Sequence, residues 1–179
     1  MPADQLINLN LIGGGDNFAF SPTKSILAMA SGKTVQFLDP ETGEELGSIS
    51  NVRDSSAMAF SPDGLLLAIA ERERTSIWDL KAAKLLQQTP AKNIPTIFGL
   101  AITPDNSILV TCAEAPAAFD VAGGKSRGTF GFMDDLCHSV EITKDGRYAV
   151  TSHMGSDIRL WDVASGALVR RFGEAVEQR

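Results

Sequence analysis
Four side chains of this 179-residue chain carry the chemistry of metal ligation, or of nucleophile and base: Cys112, Cys137, His138 and His153. A zinc-type centre needs three or four such ligands to converge, commonly through short Cys/His spacings, and none of those spacings occurs here. The two histidines flank a turn at Asp145-Gly146. The register in which Thr143 faces Tyr148 sets their imidazoles opposite one another, and a one-residue bulge beside the turn would offset them. Two cysteines are too few for a disulfide framework, and each reads as a small buried apolar side chain. The stretch GGGDNF, Gly13 to Phe18, is glycine-rich like a phosphate cradle. No Lys-Ser/Thr pair follows it and no helix opens there, so it reads as a connecting loop. The expectation is a chain with no catalytic residue, no metal and no cofactor.

The elements that carry these residues recur. FAFSPTKSILAMA, MAFSPDGLLLAIA, LAITPDNSILVTC and VEITKDGRYAVTS start at Phe18, Met58, Leu100 and Val140, about 40, 42 and 40 residues apart. Each is an apolar run, a turn and a second apolar run; in MAFSPDGLLLAIA, Pro62 presets φ and Gly64 accepts a positive one, which predicts a β-hairpin. A second element follows each, VQFLDPETGEELGSI, TSIWDLKAAKLLQQT, PAAFDVAGGKSRGTF and IRLWDVASGALVRRF, with Gly43, Gly124 and Gly166 near the turn and Ala83 in glycine's place once. Four antiparallel strands every 40 to 45 residues or so is the pattern of an all-β propeller, one blade per repeat. Met58, Phe60, Leu66 and Ala68 mix with Leu65, Leu67 and Ile69, as in strands buried on both faces between neighbouring blades.

Blade 1 is read over 18–51, blade 2 over 55–96, blade 3 over 97–135 and blade 4 over 136–179, all in one domain, with 1–17 as the outer strand of a preceding blade plus a loop. Glu141 falls where Ala19, Ala59 and Ala101 stand in the other repeats. A carboxylate there must face a solvated central channel or meet a cation from a neighbour, because burying it alone costs several kcal/mol, about 3–5 by analogy with a broken buried pair.

The segments AFSPDG, SIWDL and RLWDVASGALVRRF resemble the WD-repeat propellers, and the resemblance covers almost the whole chain. Trp78-Asp79 and Trp161-Asp162 match the name-giving pair, and Leu38-Asp39 and Phe119-Asp120 hold its place in the other two copies. The repeats are degenerate. The family's Gly-His pair and turn aspartate, which join the tryptophan and a hydroxyl in a hydrogen-bonded tetrad, are not intact: Phe132-Met133 stands at the Gly-His place of the last blade, and Gly155 lies near the aspartate place. The resemblance therefore implies blades held mainly by apolar packing. Because such propellers usually have more than four blades, it also implies a part of a larger propeller: a covalent continuation in a longer chain, or a homodimer pairing head to tail into a ring, with tight closure of the four blades as the alternative.

With 44% hydrophobic and 21% charged residues the composition is that of a folded globular domain. A formal net charge of −6 leaves no basic stripe, so neither nucleic acid nor an anionic membrane is an expected partner. The N-terminus lacks a basic start followed by an apolar block, and the expected location is cytoplasmic. The expected function is a non-catalytic protein-protein interaction scaffold. The alternatives are an enzymatic or ligand-binding propeller of lactonase-like or quinoprotein-like type, or a structural domain of a larger polypeptide. The expected binding surface is the rim of loops joining fourth to first and second to third strands, carrying Arg53, Asp54, Arg72, Arg74, Phe132, Met133 and His153.

Overall fold
A computed structural model describes residues 17–72, 74–90, 96–131, 136–154 and 157–173. The expected outer strand over 1–17 lies outside these residues except for Asn17, as do Phe132, Met133 and Gly155. Sixteen strands follow in chain order: β1 (Phe18–Phe20), β2 (Leu27–Ser31), β3 (Thr34–Leu38), β4 (Glu45–Ser50), β5 (Ala57–Phe60), β6 (Leu66–Glu71), β7 (Arg74–Asp79), β8 (Lys84–Pro90), β9 (Gly99–Ile102), β10 (Ile108–Cys112), β11 (Ala117–Asp120), β12 (Ser126–Thr129), β13 (Cys137–Ile142), β14 (Tyr148–His153), β15 (Ile158–Asp162) and β16 (Leu168–Phe172). They form four antiparallel sheets of four, each a simple meander and each one blade, and among the described residues the sheets do not close into a barrel.

The first hairpin of blades 2, 3 and 4 is set by a hydroxyl and a carboxylate. In blade 2, Ser61 Oγ donates to Asp63 Oδ1 at 2.6 Å, and Asp63 Oδ1 also accepts from Leu65 N at 3.0 Å. Leu66 N donates to Ser61 Oγ at 2.9 Å, and Gly64 takes φ +70°. Thr103 with Asp105 and Thr143 with Asp145 repeat the device, and Asn106, a residue that tolerates the left-handed region, stands at φ +58° in glycine's place. The second hairpin uses the aspartate of the Trp-Asp pair: Asp79 Oδ1 accepts from Ala82 N at 2.7 Å, and Asp162 Oδ1 from Ser165 N at 3.0 Å. In all four blades a register shift falls just before Leu38, Trp78, Phe119 or Trp161. Such bulges re-aim the side chain that follows.

The core lies between blades. The first strands run side by side, β1 against β5, β5 against β9 and β9 against β13. Ala28, Ala30 and Val35 of blade 1 pack on Leu67 and Ile69 of blade 2, with Met58, Phe60 and Trp78 beside them. Ala68, Ala70 and Ile77 of blade 2 pack on Leu100, Ile102 and Leu109 of blade 3. Val110, Cys112 and Ala118 of blade 3 pack on Val140, Ala149 and Trp161 of blade 4. Alanines recur at these seams, as Ala28 and Ala30, Ala68 and Ala70, and Ala118. All of β6 is buried, and each large aliphatic side chain hidden this way stabilises by about 1.5–3 kcal/mol.

Candidate interaction surface
The rim of blade 2 is organised by a buried carboxylate. Glu71 ends β6, where the apolar strand pattern calls for a hydrophobic residue, and its side chain is only 2% exposed. Its Oε1 accepts from Ser76 Oγ at 2.6 Å; its Oε2 accepts from Arg53 N at 2.7 Å and from an Arg74 guanidinium nitrogen at 2.7 Å. The same Arg74 nitrogen donates to Asn51 O at 2.8 Å. A buried carboxylate is tolerated only when paired and fully hydrogen-bonded, and these contacts meet that need. The loop it fixes carries Arg53 and Asp54 outward, Asp54 at φ +40°. Arg72 meets Asp54 at 3.9 Å with both side chains almost fully exposed, a pair that screening makes worth little to stability.

Arg53, Asp54, Arg72 and Arg74 therefore come together in one cluster. Arg53, Asp54 and Arg72 face solvent, whereas Arg74 is spent on Glu71. Phe132 and Met133 lie outside the described residues. His153 is 5% exposed and faces inward. Its Nε2 lies 2.8 Å from Thr151 Oγ1, which accepts from Trp161 Nε1 at 2.7 Å. It stands at the same repeat position as Glu71, and both complete a polar network beneath the rim. Beside the apolar packing expected to be the main hold on the blades, blades 2 and 4 each contain a buried polar network, whose members were visible only as polar residues ending an apolar strand.

The two imidazoles do not face each other. β13 pairs with β14 through Cys137 opposite His153 and Ser139 opposite Ser152, with a register shift between Cys137 and Ser139. His138 is the extra residue, exposed and set against Phe98 with ring centroids 5.4 Å apart. The two cysteines, expected as separate small apolar side chains, are joined as a disulfide across blades 3 and 4, with Cα atoms 5.1 Å apart. Among the described residues no three His, Cys, Asp or Glu side chains converge in a metal-like cluster.

Two further surfaces lie away from the rim. The first strands of all four blades line a central cleft of about 490 Å³ that includes Phe20, Phe60, Ile102, Glu141 and Lys144. Glu141 is exposed there, so its carboxylate faces the solvated channel. At blade 1's outer face, Phe18 and Phe20 are 69% and 60% exposed, whereas Leu100 and Ile102 at the same repeat positions of blade 3 are buried.

No protein-family model matches the chain. It is similar to telomerase protein component 1 of Mus musculus, 30% identical over 135 residues, which is 68% of this chain and 5% of that protein. Autophagy-related protein 16 of Arabidopsis thaliana is 26% identical over 107 residues, 58% of this chain and 21% of that protein. Protein groucho of Drosophila melanogaster is 27% identical over 109 residues, 59% of this chain and 15% of that protein. These relatives are WD-repeat proteins, and the chain spans less than a quarter of the length of each. Among solved structures, Kuenenia stuttgartiensis hydrazine synthase superposes with a TM-score of 0.73 at 23% identity, covering 96% of this chain and 52% of that one. That likeness is one of fold.

Proposed function
We propose that the chain is a WD-repeat-type propeller segment that binds protein partners through its rim and does no chemistry itself. The observation that carries this reading is the blade 2 rim. A buried, fully hydrogen-bonded glutamate holds a loop whose outward side chains, Arg53, Asp54 and Arg72, have no structural task of their own. A rigid scaffold beneath adaptable charged side chains is how loop surfaces recognise partners. By residue type, Phe132 and Met133 are the proposed apolar anchors of the interaction. The similarity to WD-repeat proteins supports the same reading. On this reading a further propeller blade, supplied by a longer chain or a second copy, covers the large apolar side chains Phe18 and Phe20; light scattering coupled to size-exclusion chromatography measures whether a second copy does so.

The test is affinity capture with the purified chain, comparing the parent with Arg53→Glu/Arg72→Glu and with Phe132→Ser/Met133→Ser. Specific partners should be lost from the variants, and for Arg53→Glu/Arg72→Glu the melting temperature should stay within a few degrees of the parent, since exposed substitutions usually change stability by no more than about 0.5 kcal/mol. Equal capture by parent and both variants overturns the rim assignment. Metal analysis of the same preparation that finds one stoichiometric ion per chain overturns the non-catalytic reading in favour of an enzymatic propeller.

A further inference from the structure
We infer that Cys112 and Cys137 form a redox-operated clamp at the seam between blades 3 and 4, and that its state controls the Phe98–His138 surface above it. Cys112 ends β10 and Cys137 opens β13, so the bond crosses from one blade to the next, closing a loop with a sequence separation of 25. At the same repeat positions the other two seams carry Ala30 with Ser55 and Ala70 with Ile97. Of the three seams among the described residues one is therefore built to be locked covalently, and the other two rest on packing and on hydrogen bonds such as Asn17 Nδ2 to Ser55 O and Asn106 Nδ2 to Asp63 Oδ2, each 2.6 Å.

Three further features suit this seam to both redox states. Both sulfurs lie close to one carbonyl: Ser139 O is 3.3 Å from Cys112 Sγ and 3.8 Å from Cys137 Sγ. When the bond is open, that oxygen accepts from the thiols, so reduction leaves no orphan donor in the core. The bulge at His138 sets that carbonyl beside the sulfurs and turns the imidazole outward onto Phe98. Gly99 then lets β9 lie close to β13, since a Cβ there would come within 3.1 Å of Ser139 Cα and 3.2 Å of Val140 N. Phe98 belongs to blade 3 and is 42% exposed; its N donates to Cys112 O at 2.8 Å. His138 belongs to blade 4 and adjoins Cys137. The aromatic pair therefore straddles the seam, with one ring tied to each half of the clamp.

The chemistry is thiol-disulfide exchange with a small thiol such as glutathione. A glutathione thiolate attacks one sulfur of the Cys112–Cys137 bond, giving a mixed disulfide and one protein thiolate, which takes up a proton. A second glutathione thiolate attacks the glutathione sulfur of the mixed disulfide and releases the other protein thiolate, which is also protonated. One protein disulfide is reduced to two thiols while two glutathiones are oxidised to glutathione disulfide, and re-oxidation runs the same steps backward. Both cysteines are fully buried, so attack requires the seam to open locally. A disulfide persists in an oxidising compartment and opens in a glutathione-reduced one, so in the cytoplasm the clamp would stand open and be closed by oxidative conditions.

The experiment equilibrates the full chain with oxidised or reduced glutathione, traps free thiols with N-ethylmaleimide, and counts them by intact mass. It then measures melting temperature and amide exchange in each state. The expected result is zero free thiols per chain in the oxidised state and two in the reduced state, interconverting without unfolding. Cutting a loop of this length should lower the melting temperature by about 7–14 °C. Amides of β9 and β13 should lose protection on the order of 100-fold while those of blade 1 keep theirs. Cys112→Ala/Cys137→Ala should behave as the reduced parent and ignore the redox buffer; if it fails to fold, the parent titration alone decides. Free thiols in the oxidised buffer, a bond that reduced glutathione leaves intact in the folded chain, or reduction without change in β9 and β13 would each overturn the clamp.

Discussion

The two tryptophans stand at one repeat position, yet they should respond differently to the same substitution. Trp161 is 2% exposed, and its Nε1 donates to Thr151 Oγ1 at 2.7 Å. Its indole packs against Phe130 with ring centroids 6.0 Å apart, and the fit is close enough that a Cβ on Gly131 would lie 2.8 Å from its outer edge. Trp78 is half-buried, and its Nε1 is a buried donor with no partner among the described residues. In Trp161→Phe the lost hydrogen bond costs about 0.5–1.5 kcal/mol, and two missing carbon-sized groups cost about 1.6 kcal/mol at roughly 0.8 each. The total is about 2–3 kcal/mol. In Trp78→Phe a smaller packing loss is offset by removing an unpaired donor, itself a burden of about 1–3 kcal/mol. That variant should stay within about 1 kcal/mol of the parent. In urea, with a slope of about 2 kcal/mol per molar, Trp161→Phe should unfold about 1 M earlier and Trp78→Phe at nearly the parent midpoint. Equal midpoints for the two variants would refute the claim that the hydrogen bond to Thr151, rather than ring size, distinguishes these sites.

Glu71→Ala should destabilise by about 3–5 kcal/mol, because it leaves the Arg53 N–H without its acceptor and removes the counter-charge of Arg74; a thermal melt within a degree of the parent would contradict the buried network. Phe20→Ala should cost less than about 1 kcal/mol and Ile102→Ala about 2–5 kcal/mol although they share a repeat position, and matched urea curves would expose any error in the blade order. The Thr103 hydroxyl, then the Ser107 hydroxyl and N–H, hold the Asp105 carboxyl below the usual carboxylate range. A carboxyl depressed in the folded state adds stability above its unfolded pKa of about 4, and that stability is lost as pH falls through the folded value. Asp105→Asn should therefore be less stable than the parent at pH 7 and converge with it in strong acid, and a gap unchanged from neutral to strongly acidic pH would contradict this.

The hairpins were readable because the residues that force them are local. Pro62 and Gly64, with their counterparts, act within four positions, and the hydroxyl-to-carboxylate caps at Ser61, Thr103 and Thr143 lie in the same turns. The bulge before Leu38, Trp78, Phe119 and Trp161 was not readable, because one extra residue in a strand leaves the repeat length unchanged and reveals itself only in pairing. His153 was placed on the rim because it lies next to a loop. Its burial follows from Thr151 and Trp161 reaching it across two strands, a relation no linear spacing encodes. The Cys112–Cys137 contact depends likewise on how two blades stack.

The apolar faces are the sharper case. Phe18 and Phe20 carry the same pattern as Leu100 and Ile102, and by sequence alone each pair reads as core. A repeat gives every blade the same instructions, but a blade's environment depends on its neighbours, so equal residues end in unequal surroundings. Leu100 and Ile102 are buried because blade 2 presents Ala57, Ala59, Ala68 and Ala70 to them. Phe18 and Phe20 meet no such surface among the described residues. Blade 4 offers its own open side differently: where blades 1, 2 and 3 place Ala19, Ala59 and Ala101, it places Glu141, and Ser139 and Ser152 join hydroxyls there at 2.7 Å. A blade seated on Phe18 and Phe20 should therefore present small apolar residues, and a blade seated on Glu141 should bring a cation or leave water in the channel. The two open sides of the described arc thus differ in chemistry, so a neighbour suited to one would not suit the other.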